Sequence, residues 1–262
     1  MLRLKTICQH ICKNKNKLFW IRDDPTQDDL NHVLKEGFEP SKFDALGLKK
    51  QTIEDLQAGK AKLVCRSCSL AKVLAVVYPG QIIPWDLFGK IFAAFGNPSE
   101  GKWRFLWFAN PTLRTDDFGL GPEAVNGGYT YPCRPDTIVV YRKEEVGRVL
   151  VHELLHAACT DNMNDPIELR EAKTETWAEI FMCAILADGN IKEAMRLWEI
   201  QAQWIVDQEE NMRKSGVNTP EEYAWRYTVA RKYVLETMNI SLPKTKSNSK
   251  STNSTRLTFM GF

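Results

Sequence analysis

The stretch Val149-Leu150-Val151-His152-Glu153-Leu154-Leu155-His156 places two of the chain's four histidines four residues apart, with a glutamate directly after the first. Composition gives this His-Glu-x-x-His pattern an expectation of about 0.004 occurrences in the whole chain, so chance is a poor explanation. Four residues of α-helix turn through about 400°, which sets His152 and His156 side by side, one turn apart. Two imidazoles so placed can share one metal ion. Zinc accepts neutral imidazole nitrogen at about 2.0 to 2.1 Å, and a catalytic zinc needs a third protein ligand and an open position for water. Glu153 lies about 100° round the helix from its neighbour, where it reaches that water rather than the metal. It is the candidate general base.

Working outward, Lys102 to Ala109 is aromatic and partly alternating, and Thr137 to Arg142 is rich in β-branched residues, so both read as strands. Gly127 to Tyr131 between them is a third. After Arg142 the signals are helical: residues 144–158, 167–187 ending at Asp188-Gly189, and 191–214 behind Asn190 as cap. Thr219-Pro220-Glu221-Glu222 opens a fourth helix with a capping Thr, Pro at the first position and Glu three residues after the cap. Upstream, residues 23–101 read as mainly helical, with starts at Pro25, Ser41 and Pro84 and an apolar run from Leu70 to Tyr78. Strands followed by helices predict an α+β fold, with a small mixed sheet of about three or more strands, the histidine helix and a mainly helical C-terminal half.

The 262 residues, 44% hydrophobic and 26% charged, fall within the range of ordinary globular chains and are long enough to bury a core without disulfide staples. No window approaches 18 uninterrupted apolar residues, and no apolar stretch near the N-terminus has the length of a secretory signal. An intracellular, cytoplasmic chain with no membrane partner is expected. Seven cysteines, an odd number, fit reduced thiols better than an oxidised framework. The net charge of +2 hides an uneven distribution. Residues 1–20 and 244–262 carry nine Lys and Arg and no acid, which leaves the body net acidic by about seven charges. The expected organisation is a basic, solvated N-terminal arm (1–22), the helical region (23–101), a catalytic region (102–243) and a disordered basic tail (244–262). Both ends can also contact nucleic acid or another anionic surface.

The third metal ligand should come from another element, and the next helix offers Glu168, Glu171, Glu175 and Glu179 near a helical period. Here the sequence resembles the gluzincin zinc metallopeptidases, in which a glutamate ligand follows the HExxH motif after about 18 or 19 residues. Eighteen residues separate His156 from Glu175, so the resemblance implies His152, His156 and Glu175 as ligands of Zn2+. It also implies a zincin-like fold and hydrolysis of a peptide or protein substrate. In the thermolysin-like members a second carboxylate four residues later orients the first histidine, and Glu179 stands there. An edge strand beginning near an Asn binds extended substrate in those enzymes, which implies that role for Asn126, Gly127 and Gly128. Their oxyanion-stabilising histidine has no counterpart, because His10 and His32 lie far upstream. The aminopeptidase branch uses a tyrosine, which points to Tyr227 among Tyr223, Arg226 and Tyr227. The Gly-x-Met-Glu-Asn motif of that branch is absent. The resemblance spans about residues 102–187, and its specific motifs are HExxH and the Glu175/Glu179 pair. In size and in the Lys/Asn/Ser-rich tail the chain is also loosely similar to metallopeptidase-like proteins of large DNA viruses.

Cys65-x-x-Cys68 and Cys8-x-x-x-Cys12 permit a second, structural zinc site. Cys159 reads as a small core residue and the Trp198, Trp204, Ile205 stripe as packing. A different class of function fits the same residues: a non-catalytic, zinc-stabilised binding protein that uses its basic ends on nucleic acid.

Overall fold

A computed structural model of the chain describes residues 2–15, 18–244 and 255–259. In chain order its elements are α1 (Leu2–Lys13), β1 (Ile21–Asp23), α2 (Gln27–Phe38), α3 (Leu48–Gln57), β2 (Lys62–Ser67), β3 (Ala71–Val77), α4 (Trp85–Phe95), β4 (Trp103–Phe108), α5 (Pro122–Val125), β5 (Gly128–Thr130), β6 (Ile138–Val140), α6 (Val146–Ala157), α7 (Ile167–Leu186), α8 (Ile191–Lys214) and α9 (Val229–Thr237). Short 3-10 turns span Asp116–Phe118 and Tyr223–Tyr227. Six strands and nine α-helices among the described residues make this an α+β protein with a mixed sheet. No described helix is long and apolar enough to cross a membrane.

The chain divides into two compact units. The described residues of the sheet unit come from 14–113 and 126–160, and those of the helical unit from 2–13, 114–125 and 161–259.

In the sheet unit the strand order is β1-β2-β3-β4-β6-β5. β3, β4 and β6 run parallel, with Leu74 opposite Leu106 and Leu106 opposite Val139. β1 and β2 extend one side antiparallel, and β5 closes the other side antiparallel to β6. Apart from Lys72, β3 is apolar, and six of its seven residues are buried, as a strand covered on both faces requires. Leu74, Val76, Leu106, Phe108, Tyr129, Val139 and Tyr141 pack with Val33, Leu48 and Ile53 of α2 and α3. On the opposite face Phe88 of α4 meets Phe105 and Trp107 edge-on at 5.3 and 5.8 Å. α6 lies on that face too, against α4, β5 and β6.

Region 23–101 holds the three helices α2, α3 and α4 and also β2, β3 and the last residue of β1, so it supplies strands to the sheet as well. The Leu70 to Tyr78 run has no period that separates strand from buried helix, and pairing with β2 and β4 decides for strand. α3 begins seven residues past Ser41, where Asp44 accepts the amides of Leu48 and Lys49 at 2.8 and 2.9 Å.

In the helical unit α1 packs on α7 and α8, and α7 packs on α8, α9 and the Tyr223–Tyr227 turn. The N-terminal segment is thus not a solvated arm over residues 2–13. Leu4, Ile7, Cys8 and Ile11 recur at helical spacing and are buried. α8 matches its expected span, and the Asn190 side chain accepts from the amides of Lys192 and Glu193. Thr219 to Glu222 form a turn rather than a helix start, with Glu222 accepting the Thr219 amide at 2.7 Å. A 3-10 turn follows it, and α9 starts only at Val229. Of the expected disordered tail, residues 245–254 and 260–262 lie outside the described residues. Thr255 to Phe259 are packed rather than free: Leu257 is buried with Met212, Val217, Tyr227 and Val229, and its carbonyl accepts from Gln201 at 3.1 Å and Arg231 at 2.7 Å.

Candidate metal centre

Every residue of α6 is buried, so its polar trio sits where polar groups are costly without partners. The Nε2 atoms of His152 and His156 face each other at 3.0 Å. Their ring centroids are 4.7 Å apart. Two nitrogens at about 2.0 to 2.1 Å from one tetrahedral ion stand about 3.3 Å apart, so the imidazole pair is spaced as two ligands of one cation are.

Glu153 points to the sheet side of α6. A Cβ built on Gly128 falls 3.2 Å from Glu153 Oε1, 2.8 Å from Val149 Cγ1 and 2.6 Å from the Val139 carbonyl. Glycine at 128 is what lets β5 and α6 approach this closely. The Gly127 carbonyl accepts the Tyr141 amide at 2.8 Å, and antiparallel alternation then turns the amide and carbonyl of Gly128 and Thr130 toward the open side of the strand. Asn126, expected at the head of a substrate strand, has its side chain engaged within the fold. It donates to the Phe43 carbonyl at 3.2 Å, while its own carbonyl accepts from Arg142 Nε at 2.9 Å.

Beneath β5 lies a network that sequence reasoning missed. Lys49 Nζ donates to the Tyr129 hydroxyl and the Glu36 carbonyl, each at 2.8 Å, and Tyr129 donates to Glu36 Oε2 at 2.8 Å. Burial pushes the Lys49 ammonium pKa down, and burial, then the Glu36 charge, pushes the Tyr129 phenol up. Tyr129 occupies the middle of β5, so the network holds the edge strand from below.

Cys159 is not a core residue. It is exposed and joined to Cys133 by a disulfide with a Cα–Cα separation of 4.6 Å. The expectation of reduced thiols holds for the other five cysteines and fails for this pair. The loop between β5 and β6 returns beside the end of α6, and the amides of both Cys133 and Cys159 donate to the His156 carbonyl at 3.1 Å. Cys65 and Cys68 lie on and just after β2 in the sheet unit. Cys8 and Cys12 lie on α1 in the helical unit, where Cys12 Sγ donates to the Gly189 carbonyl at 3.4 Å.

The helical unit carries the carboxylate series. Burial deepens along α7: Glu168 and Glu171 are partly exposed, and Glu175 and Glu179 are 1% and 0% exposed. Glu168 pairs with Arg226 at 3.3 Å. Glu179 forms a buried ion pair with Arg231 at 3.2 Å, and the same guanidinium bonds Gln208 and the Leu257 carbonyl. Tyr227 is buried in the 3-10 turn, its ring 5.7 Å from that of Tyr223. Burial, then the charge of Glu171, raises its phenol pKa well above the ordinary value, so the hydroxyl stays protonated and able to donate.

The sheet unit thus brings together His152, Glu153, His156 and Gly128, and the helical unit brings together Glu171 and Tyr227. Set against protein-family models, curated proteins and solved structures, the chain finds no match in any of the three.

Proposed function

We propose that the chain is a zinc-dependent peptidase of the gluzincin kind with a zincin-like catalytic region. The observation that carries this reading is the 3.0 Å approach of the His152 and His156 Nε2 atoms, with Glu153 one residue on and beside the sheet edge. His152 and His156 hold the metal. The resemblance assigns the third position to Glu175, with Glu179 as the alternative, and Glu171 belongs to the same carboxylate series. A bound zinc ion supplies Lewis acidity for water and for the scissile carbonyl. Glu153 takes the proton from the attacking water and passes it to the departing nitrogen. The outward main chain of β5 receives an extended substrate as an added strand. Tyr227, kept protonated by burial, is the proposed donor to developing negative charge.

Elemental analysis of the purified protein tests the centre. About one zinc per chain is expected for wild type and for Glu153→Gln, and loss of metal for His152→Ala. Glu175→Gln should lower occupancy more than Glu171→Gln does. Peptide cleavage should fall at least about a hundredfold in Glu153→Gln. Cleavage at the wild-type rate by that variant excludes Glu153 as base.

A second reading draws on burial. His152, Glu153 and His156 are 6%, 5% and 7% exposed, which suits a structural ion in a non-catalytic binding protein with nucleic acid at its basic ends. Full zinc occupancy with no turnover, and DNA binding lost on neutralising Arg3, Lys5 and Arg256, favours it.

A further inference from the structure

The seven cysteines separate by exposure. Cys8, Cys65, Cys68 and Cys183 are buried, and Cys12 is an exposed free thiol. Burial raises the thiol pKa of Cys8 and Cys183, and that of Cys65 to about 11. Such thiols stay protonated and react slowly near neutral pH. Cys133 and Cys159 are different. Both are exposed, and so are their neighbours Pro132, Arg134, Ala158 and Thr160. Their cross-link lies where a thiolate can reach it, and neither residue belongs to the sheet core.

The position gives this bond leverage over the histidine helix. Both cysteine amides converge on the carbonyl of His156, whose side chain faces His152. Both residues also hold left-handed backbone conformations, with φ of 62° and 59°. Non-glycine residues seldom adopt these without outside support. Cys133 sits in the loop that leaves β5, so the disulfide ties the edge strand's exit to the turn that carries an imidazole.

We infer that Cys133 and Cys159 form a reversible modification site, a thiol–disulfide pair whose reduction by a dithiol loosens the β5–β6 loop and the last turn of the histidine helix. One sulfur of the dithiol attacks the protein disulfide and forms a mixed disulfide, releasing one cysteine thiolate. The second sulfur then displaces the other cysteine and closes a cyclic disulfide. Two electrons pass to the protein sulfurs, and two protons complete the cysteine thiols. The sheet core keeps its packing in both states.

The test uses the full chain without oxygen, once oxidised and once reduced by dithiothreitol that is then removed by desalting. Amide exchange is followed by mass spectrometry, and zinc binding by competition with a chromophoric chelator. On reduction, exchange over residues 131–137 and 156–160 is expected to rise about tenfold or more, and zinc binding to weaken roughly tenfold, with β3 and β4 unchanged. Oxidised glutathione should restore wild type. A Cys133→Ser/Cys159→Ser double variant should behave as the reduced form throughout. Unchanged exchange in those two segments overturns the inference. Loss of protection across β3 and β4 overturns it too, because the bond is then a general staple. Failure to bind zinc at all counts against the proposed function, while the exchange data still decide this inference.

Discussion

At Asp29 four donors converge on one carboxylate: the Thr26 amide and hydroxyl at 2.9 Å each, Lys72 at 2.5 Å and Arg104 at 2.9 Å. One buried residue thereby closes the capping box of α2 and ties it to β3 and β4. Burial by itself raises the carboxyl pKa, but Lys72 and Thr26 outweigh it and bring it to about 2. A carboxyl held below its unfolded value of about 3.9 stabilises the fold above that pH and loses its contribution as the pH falls toward 2. Asp29→Asn should therefore lower stability by about 2 kcal/mol at pH 7, with the difference closing as pH 2 is approached, as urea unfolding at both pH values would measure. A constant difference at both would refute the assignment. Residues of this kind differ in how far the sequence reveals them. His152, Glu153 and His156 are readable because helix geometry fixes their four-residue relation. Lys49, Glu36 and Tyr129 are not, because the contacts of Tyr129 to Lys49 and Glu36 span 80 and 93 residues and no local pattern marks them.

Among elements, the pairing of β5 with α6 depends on a missing side chain. Gly128→Ala would drive a methyl group into the Val139 carbonyl and Val149. The backbone atom cannot swing aside, so the variant should lose about 1 to 3 kcal/mol, read as a lower thermal midpoint. An unchanged midpoint would show that β5 can withdraw from the helix. α8 is legible in the sequence because Asn190 caps its start. β2 was not legible: Lys62-Leu-Val-Cys-Arg-Ser shows little clean alternation, and its place in the sheet comes from its neighbours. The disulfide was hidden for a similar reason, since its partners stand 26 residues apart in sequence.

Across the whole molecule, neither unit is continuous in sequence. Composition shifts suggested boundaries near residues 22 and 101, yet the chain enters the helical unit at α1, leaves it, revisits it at 114–125 and returns at 161. No shift in composition marks those crossings, because buried helix and buried strand draw on the same apolar residues. An early residue should therefore matter to late helices. Ile7 is buried on the face of α1 that meets α7 and α8. Ile7→Asp should cost roughly 3 kcal/mol and strip exchange protection from those two helices, which hydrogen-exchange mass spectrometry would detect. Unchanged protection in α7 and α8 would argue that α1 is dispensable.

The same interleaving bears on how the protein is made. Gly189 packs directly against Cys8 and Cys12 of α1, and α8 does not end until Lys214. The ribosome thus releases α1 long before its partners exist, and at about 5 to 20 residues per second the wait is on the order of 10 to 40 seconds. For that interval the apolar face of α1 lacks the cover that α7 and α8 give it in the folded chain.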